Sequence, residues 1–191
     1  MAGISSKIIP LVTKAPDFSL PDAISGKTFS LEDLASDFAT VIFFISNNCP
    51  YVNHIINGLV KTAKDFISQG IKFAAVNSND YENYPDESPD KMRKFARFMD
   101  FSFHYLVDKN QELAKSMKAV CTPDIFVYNK DLLLVYHGQY DDSRPGNTLK
   151  TNGLDLHITL KNLLCNLPVD TLQKQSHGTP IKWKIFLKQN N

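Results

Sequence analysis

The apolar positions of the chain change period at one corner, and that corner organises the rest. Val41-Ile-Phe-Phe-Ile45 is an unbroken apolar run rich in β-branched and aromatic side chains, the composition of a strand buried on both faces. From Val52 the apolar residues fall at Val52, Ile55, Ile56, Leu59, Val60, Ala63, Phe66 and Ile67, the spacing of one helix face. Gly70 stands where a left-handed cap would close that helix. Ile71–Ser78 then returns to a buried-strand pattern, so a βαβ unit is predicted from Ala39 to Ser78.

The flanking segments are shorter. Residues 15–22 alternate around Phe18 and Leu20, and after a Ser25-Gly26 turn Lys27–Ser30 repeats the pattern, which predicts a small N-terminal hairpin. Ser30-Leu-Glu-Asp33 matches a capping box and predicts a turn of helix through Leu34. Asn77 to Pro89 is a polar, proline-punctuated loop at a strand's carboxyl end, the edge where open α/β sheets bind ligands. Ser88 and Pro89 open a second helix carrying Met92, Phe95, Ala96 and Met99 on one face. His104–Val107 reads as a strand and Gln111–Met117 as a short helix. In Ala119-Val-Cys-Thr-Pro-Asp, Pro123 takes a strand's first position and its peptide bond is a candidate for the cis isomer. The strand to Tyr128 turns at Asn129-Lys-Asp131 and comes back over Leu132–His137. A polar loop over 138–152 follows, then a final helix marked by Leu154, Ile158, Leu160, Leu163 and Leu164, with Cys165 expected in the core beside it. From Pro168 the pattern predicts an irregular tail.

Composition narrows the class. A chain of 191 residues with 43% hydrophobic residues and 13 Phe suits one globular domain over 1–191, its core at roughly 10–165 and its tail at 168–191. A net charge of +1 with no long basic run gives no signature of nucleic-acid or membrane-surface binding. The N-terminal residues lack the n-region and sustained apolar run of a secretory signal. Cys49, Cys121 and Cys165 are too few to pair completely and form no Cys-x-x-Cys, so a reducing, cytoplasmic setting is expected.

The candidate chemistry lies at the strand-to-helix corner. Cys49 immediately precedes the helix and Pro50 occupies its first turn, where a missing N–H costs nothing. Unpartnered N–H groups and the helix dipole favour a thiolate there. Cysteines so placed can have pKa values lowered from about 8.5 to roughly 3.5–7.5. The competing reading is an inert, buried thiol. Cys49 and His54 do not share a helix face well and no third ligand is suitably spaced, so no metal is expected. His54 reads as an exposed helix residue and His177 as part of the tail.

The βαβ unit with Cys49 at its helix, the Thr122-Pro123 hairpin and the closing helix resemble the thioredoxin fold. With Ala15-Pro-Asp-Phe-Ser-Leu-Pro-Asp22 and Gly26-Lys-Thr-Phe-Ser-Leu-Glu-Asp33, the chain looks most like the redoxin branch, the alkyl hydroperoxide reductase and thiol-specific antioxidant relatives. The strings Cys49-Pro-Tyr-Val-Asn-His54, Cys121-Thr-Pro-Asp124, Tyr140-Asp-Asp-Ser-Arg-Pro-Gly-Asn147 and Ile181-Lys-Trp-Lys184 are similar to a thioredoxin-like or peroxiredoxin-like subgroup. The resemblance implies an α/β fold with a central mixed sheet flanked by helices, an N-terminal β extension and an irregular C-terminal tail. It also implies that Cys49 attacks a disulfide or a peroxide and that Thr122, before the cis proline, offers its backbone to an extended substrate.

The departures from the family shape the expected activity. Val52 replaces the second cysteine of the thioredoxin pattern, and Ile42 and Ser46 stand at the proline and threonine positions of the peroxiredoxin pattern. Ser46 offers a hydroxyl to a peroxide, and Arg144 would have to reach in from its loop. Subgroup members resemble this chain with further cysteines at the positions of Ser46 and of Thr179 or Pro180. Cys121 is then the remaining local candidate to resolve an oxidised Cys49.

The leading expectation is a thiol oxidoreductase, with Cys49, Ser46 and Cys121 in catalysis and Pro50, Tyr51, Thr122, Pro123 and Arg144 at the substrate. Its implied partners are a disulfide protein or a peroxide and an external thiol reductant, without a cofactor. A one-cysteine peroxidase is a second reading. A non-catalytic module that binds extended segments at Thr122 is a third.

Overall fold

The computed structural model describes residues 3–185. In chain order the strands and helices are β1 (Ile4–Ser5), β2 (Ser19–Pro21), β3 (Thr28–Ser30), β4 (Ala39–Phe44), α1 (Pro50–Ile67), β5 (Lys72–Asn77), α2 (Pro89–Phe98), β6 (His104–Val107), α3 (Glu112–Ser116), β7 (Cys121–Thr122), β8 (Asp124–Asn129), β9 (Leu134–Gly138), α4 (Leu154–Leu164) and β10 (His177–Pro180). A 3-10 turn over Pro85–Glu87 precedes α2. The central sheet has the order β6-β5-β4-β8-β9. β4, β5 and β6 run parallel, while β8 is antiparallel to both β4 and β9.

β4 is central because both of its faces are apolar, and every residue in it is buried. Val41, Phe43 and Ile45 belong to a cluster with Val52, Ile56 and Leu59 of α1 and Leu156 and Leu160 of α4. Ile42 and Phe44 belong to a second cluster with Leu31, Leu113 and Met117. Helices thus cover one face, and α3 with the N-terminal segments covers the other. Full burial of each such side chain stabilises by about 1.5–3 kcal/mol, an upper figure because unfolded chains already bury some surface. α1 stops where expected: Gly70 has φ +94°, and the Ile71 N–H bonds back to the Phe66 carbonyl at 3.2 Å. Among the described residues no helix is long and apolar enough to cross a membrane.

Four expectations are modified. Ser30 and Asp33 do make reciprocal capping bonds, with the Ser30 N–H 2.8 Å from the Asp33 carboxylate and the Asp33 N–H 3.2 Å from Ser30 Oγ. Only a hydrogen-bonded turn follows, because Ser36 Oγ captures the N–H groups of Phe38 and Ala39 and turns the chain into β4. α4 forms, but Leu156, Thr159 and Leu160 face the core while Leu154 and Ile158 are exposed. With apolar residues on several sides of that helix, its sequence does not single out one face. Cys165 caps the helix and is exposed rather than in the core. The tail has little regular structure, yet His177–Pro180 form β10 between β1 and β7, with Ile4 opposite Gly178 and Thr179 opposite Thr122.

Candidate active site

Cys49 sits at the N-cap of α1 in extended backbone conformation, φ −79° and ψ 119°, with Pro50 next and no acidic residue in the first turn. Its carbonyl accepts the Asn53 N–H at 2.9 Å, the first bond of the helix. The unpartnered amide end of α1 therefore lies at the cysteine. The side chain is only 1% exposed. Its sulfur is nevertheless in polar company: Sγ lies 2.9 Å from the Thr122 carbonyl oxygen and 3.2 Å from Thr179 Oγ1. A thiol has one proton, so the consistent arrangement has Sγ–H donating to the carbonyl and the Thr179 hydroxyl donating to sulfur.

The loop before the cysteine is held by a buried carboxylate. Glu87 accepts from Ser46 Oγ at 2.7 Å, from the Asn47 N–H at 3.1 Å and from Asn77 Nδ2 at 2.8 Å. The Tyr105 hydroxyl adds a bond to Asn47 Oδ1 at 3.0 Å. Burial pushes the Tyr105 phenol up, and the charges of Glu87 and Cys49 add to that shift. Ser46 is thereby bonded to Glu87 rather than to the Cys49 sulfur.

On the other side, the Thr122–Pro123 peptide is cis, and both residues are buried. Cys121 is buried with its sulfur 3.8 Å from the Pro123 carbonyl, and no disulfide joins the three cysteines. Burial pushes the Cys121 thiol up, and the neighbouring Asp124 and Cys49 raise it further. Directly below, Asp124 bonds His137 Nε2 at 2.8 Å, and its own acidity is weakened by burial despite that partner.

Tyr51 is half-buried and its ring packs edge-on against His177, centroids 5.5 Å apart. Pro50 is exposed at the start of the helix. Arg144 borders the same recess as Tyr51, Pro123 and His177. Its guanidinium donates to the carbonyls of Asp141 at 2.6 Å and Ser143 at 2.7 Å, and to the Gln139 side chain. It is occupied within its own loop. His54 is half-buried rather than exposed, 3.0 Å from Ser143 Oγ and 3.3 Å from Thr151 Oγ1. Among the described residues no three metal-ligating side chains cluster.

Reading the sequence for motifs passes over Glu87 and Gly178, and gives His177 and Thr179 no role at the sulfur. Glu87 was visible only as one acidic residue in a polar loop, and the other three lie in a stretch without periodicity. The departure noted at Thr179 or Pro180 is the one signal that pointed toward this place.

Residues 11–137 match the model of the AhpC/TSA family. An uncharacterized conserved protein from Geobacillus kaustophilus is 45% identical, with a TM-score of 0.96 over 98% of this chain and 99% of that one. A hypothetical protein from Sinorhizobium meliloti is 41% identical, with a TM-score of 0.93 over 95% and 99%. The thioredoxin domain of a thiol-disulfide oxidoreductase from Bacteroides vulgatus is 17% identical, with a TM-score of 0.57 over 72% and 91%, a likeness of fold. The search of curated proteins found no match.

Proposed function

The chain belongs to the AhpC/TSA family, the redoxin branch of the thioredoxin superfamily, and from that premise we propose that it is a thiol oxidoreductase whose Cys49 exchanges with an external disulfide. The observation that carries this reading is the placement of Sγ at the amino end of α1, with the Thr179 hydroxyl in reach to donate to it. The Cys49 thiolate attacks one sulfur of the substrate disulfide. A mixed disulfide forms as the substrate S–S bond breaks, and the second substrate sulfur leaves as a thiolate that takes up a proton. An external thiolate then attacks the Cys49 sulfur of the mixed disulfide and releases the bound substrate sulfur as a thiol, and a second external thiol attacks the resulting Cys49–reductant disulfide, freeing Cys49 as the reductant leaves as its disulfide.

External resolution is favoured over Cys121, since a buried thiol whose pKa is pushed up supplies little attacking thiolate. Disulfide exchange is favoured over peroxide reduction because Ser46 is engaged by Glu87 and Arg144 by its own loop, leaving neither to orient a peroxide at the sulfur. The burial of Cys49 supports a second reading, a non-catalytic binding module. Turnover separates the two. With dithiothreitol as reductant and a protein disulfide as substrate, the native chain accelerates reduction and Cys49→Ser abolishes the acceleration. Equal rates with both chains would leave the binding module as the better reading.

A further inference from the structure

β10 lies where an incoming strand would have to lie. Its Thr179 pairs with Thr122, its Pro180 with Cys121, and the Thr179 hydroxyl meets the Cys49 sulfur at 3.2 Å. Gly178 packs so closely that a Cβ there would fall 2.0 Å from the Thr122 carbonyl oxygen and 2.5 Å from its carbon, both backbone atoms. Only glycine permits this approach. His177 closes the same side by packing on Tyr51. With these residues seated, the sulfur is sealed from solvent.

The stretch that crosses the sulfur pairs with β1 and β7, and it is fastened beyond both of its ends as well. On one side Ser176 Oγ bonds the Gly138 carbonyl at 2.6 Å, and the Ser6 N–H bonds the Ser176 carbonyl at 2.8 Å. On the other, Ile181 is buried and its N–H reaches the Val120 carbonyl at 2.9 Å. Beyond it, the Lys182 carbonyl accepts from the Asp80 N–H and from Gln111 Nε2, each at 2.9 Å. Between these anchors, His177 and Thr179 are half-buried, and Pro180 is exposed and has no N–H to give to a ladder. A short stretch fastened at both ends can lift locally without unfolding the chain.

We propose that β10 is an intramolecular cover over Cys49, held in the antiparallel edge of Thr122, and that Cys49 reacts only when residues 177–180 lift from that edge. The cover gives an extended substrate a competitor built into the chain, so occupancy of the edge sets how much sulfur is available. This inference takes Cys49 to be the reactive residue, as in the exchange reading, but concerns only its accessibility.

Native-state labelling with N-ethylmaleimide, read cysteine by cysteine by peptide mass, tests it without any turnover. Exposed Cys165 serves as the internal reference. Cys49 of the native chain labels far more slowly than Cys165, and Gly178→Ala, which drives a methyl group into the Thr122 carbonyl, raises Cys49 labelling by about tenfold or more while Cys165 is unchanged. A second variant does not depend on how Gly178→Ala folds: Thr179→Cys forms a disulfide with Cys49 on mild oxidation and removes Cys49 from labelling. Native Cys49 labelling as fast as Cys165, unchanged labelling in a folded Gly178→Ala, or no disulfide in Thr179→Cys would each overturn the cover. Loss of turnover with intact gating would instead overturn the exchange reading alone.

Discussion

At the scale of single residues, the account rests on how few groups set the position of one sulfur. Cys49 and Thr122 were legible in the sequence, because a cysteine before a helical stripe and a Thr-Pro before an apolar strand each carry local signals. Glu87 was not, since its role depends on bonds to Ser46, Asn47 and Asn77, contributed by the ends of β4 and β5. Glu87→Gln turns an amide donor toward groups that are already donors. Loss of about 1.5–3 kcal/mol is expected from broken charge-assisted bonds, measurable as a lower urea midpoint with an unchanged slope.

Among the elements, the βαβ unit of β4, α1 and β5 could be read in advance because its apolar residues match one period at a time. α4 could not be oriented, having apolar side chains on more than one side. The N-terminal hairpin was also legible, but its attachment was not. Asp22 makes that attachment: it accepts the Tyr105 N–H at 2.9 Å and Ser25 Oγ at 2.6 Å, with His104 Nδ1 at 3.6 Å. Burial alone would raise its pKa, but these partners together hold the carboxyl well below its ordinary value of 3.8. Below that value the unfolded chain binds a proton that the folded chain does not, so stability falls as the pH drops. The contribution is complete above the ordinary value and is lost as the pH falls toward the depressed one. Asp22→Asn should therefore lower stability at neutral pH and flatten the fall between about pH 4 and pH 2, followed by thermal unfolding across that range.

For the molecule as a whole, the sheet order brings together segments far apart in the chain. β4 delivers Cys49, β7 delivers Thr122, and the tail delivers Thr179, so the cysteine sits under a lid of its own sequence. That convergence leaves no periodic trace, and it explains why an apparently irregular tail became part of the site. It also separates chemistry from exposure, since Cys165 is exposed at the carboxyl end of α4 while Cys49 is buried at the amino end of α1. The direct test is a single-turnover reaction of the fully reduced chain with oxidised glutathione, quenched in acid and mapped by peptide mass. The account predicts a glutathione adduct on Cys49 that forms faster in Gly178→Ala than in the native chain and is removed by added thiol. An adduct confined to Cys165, with Cys49 unmodified, would contradict it.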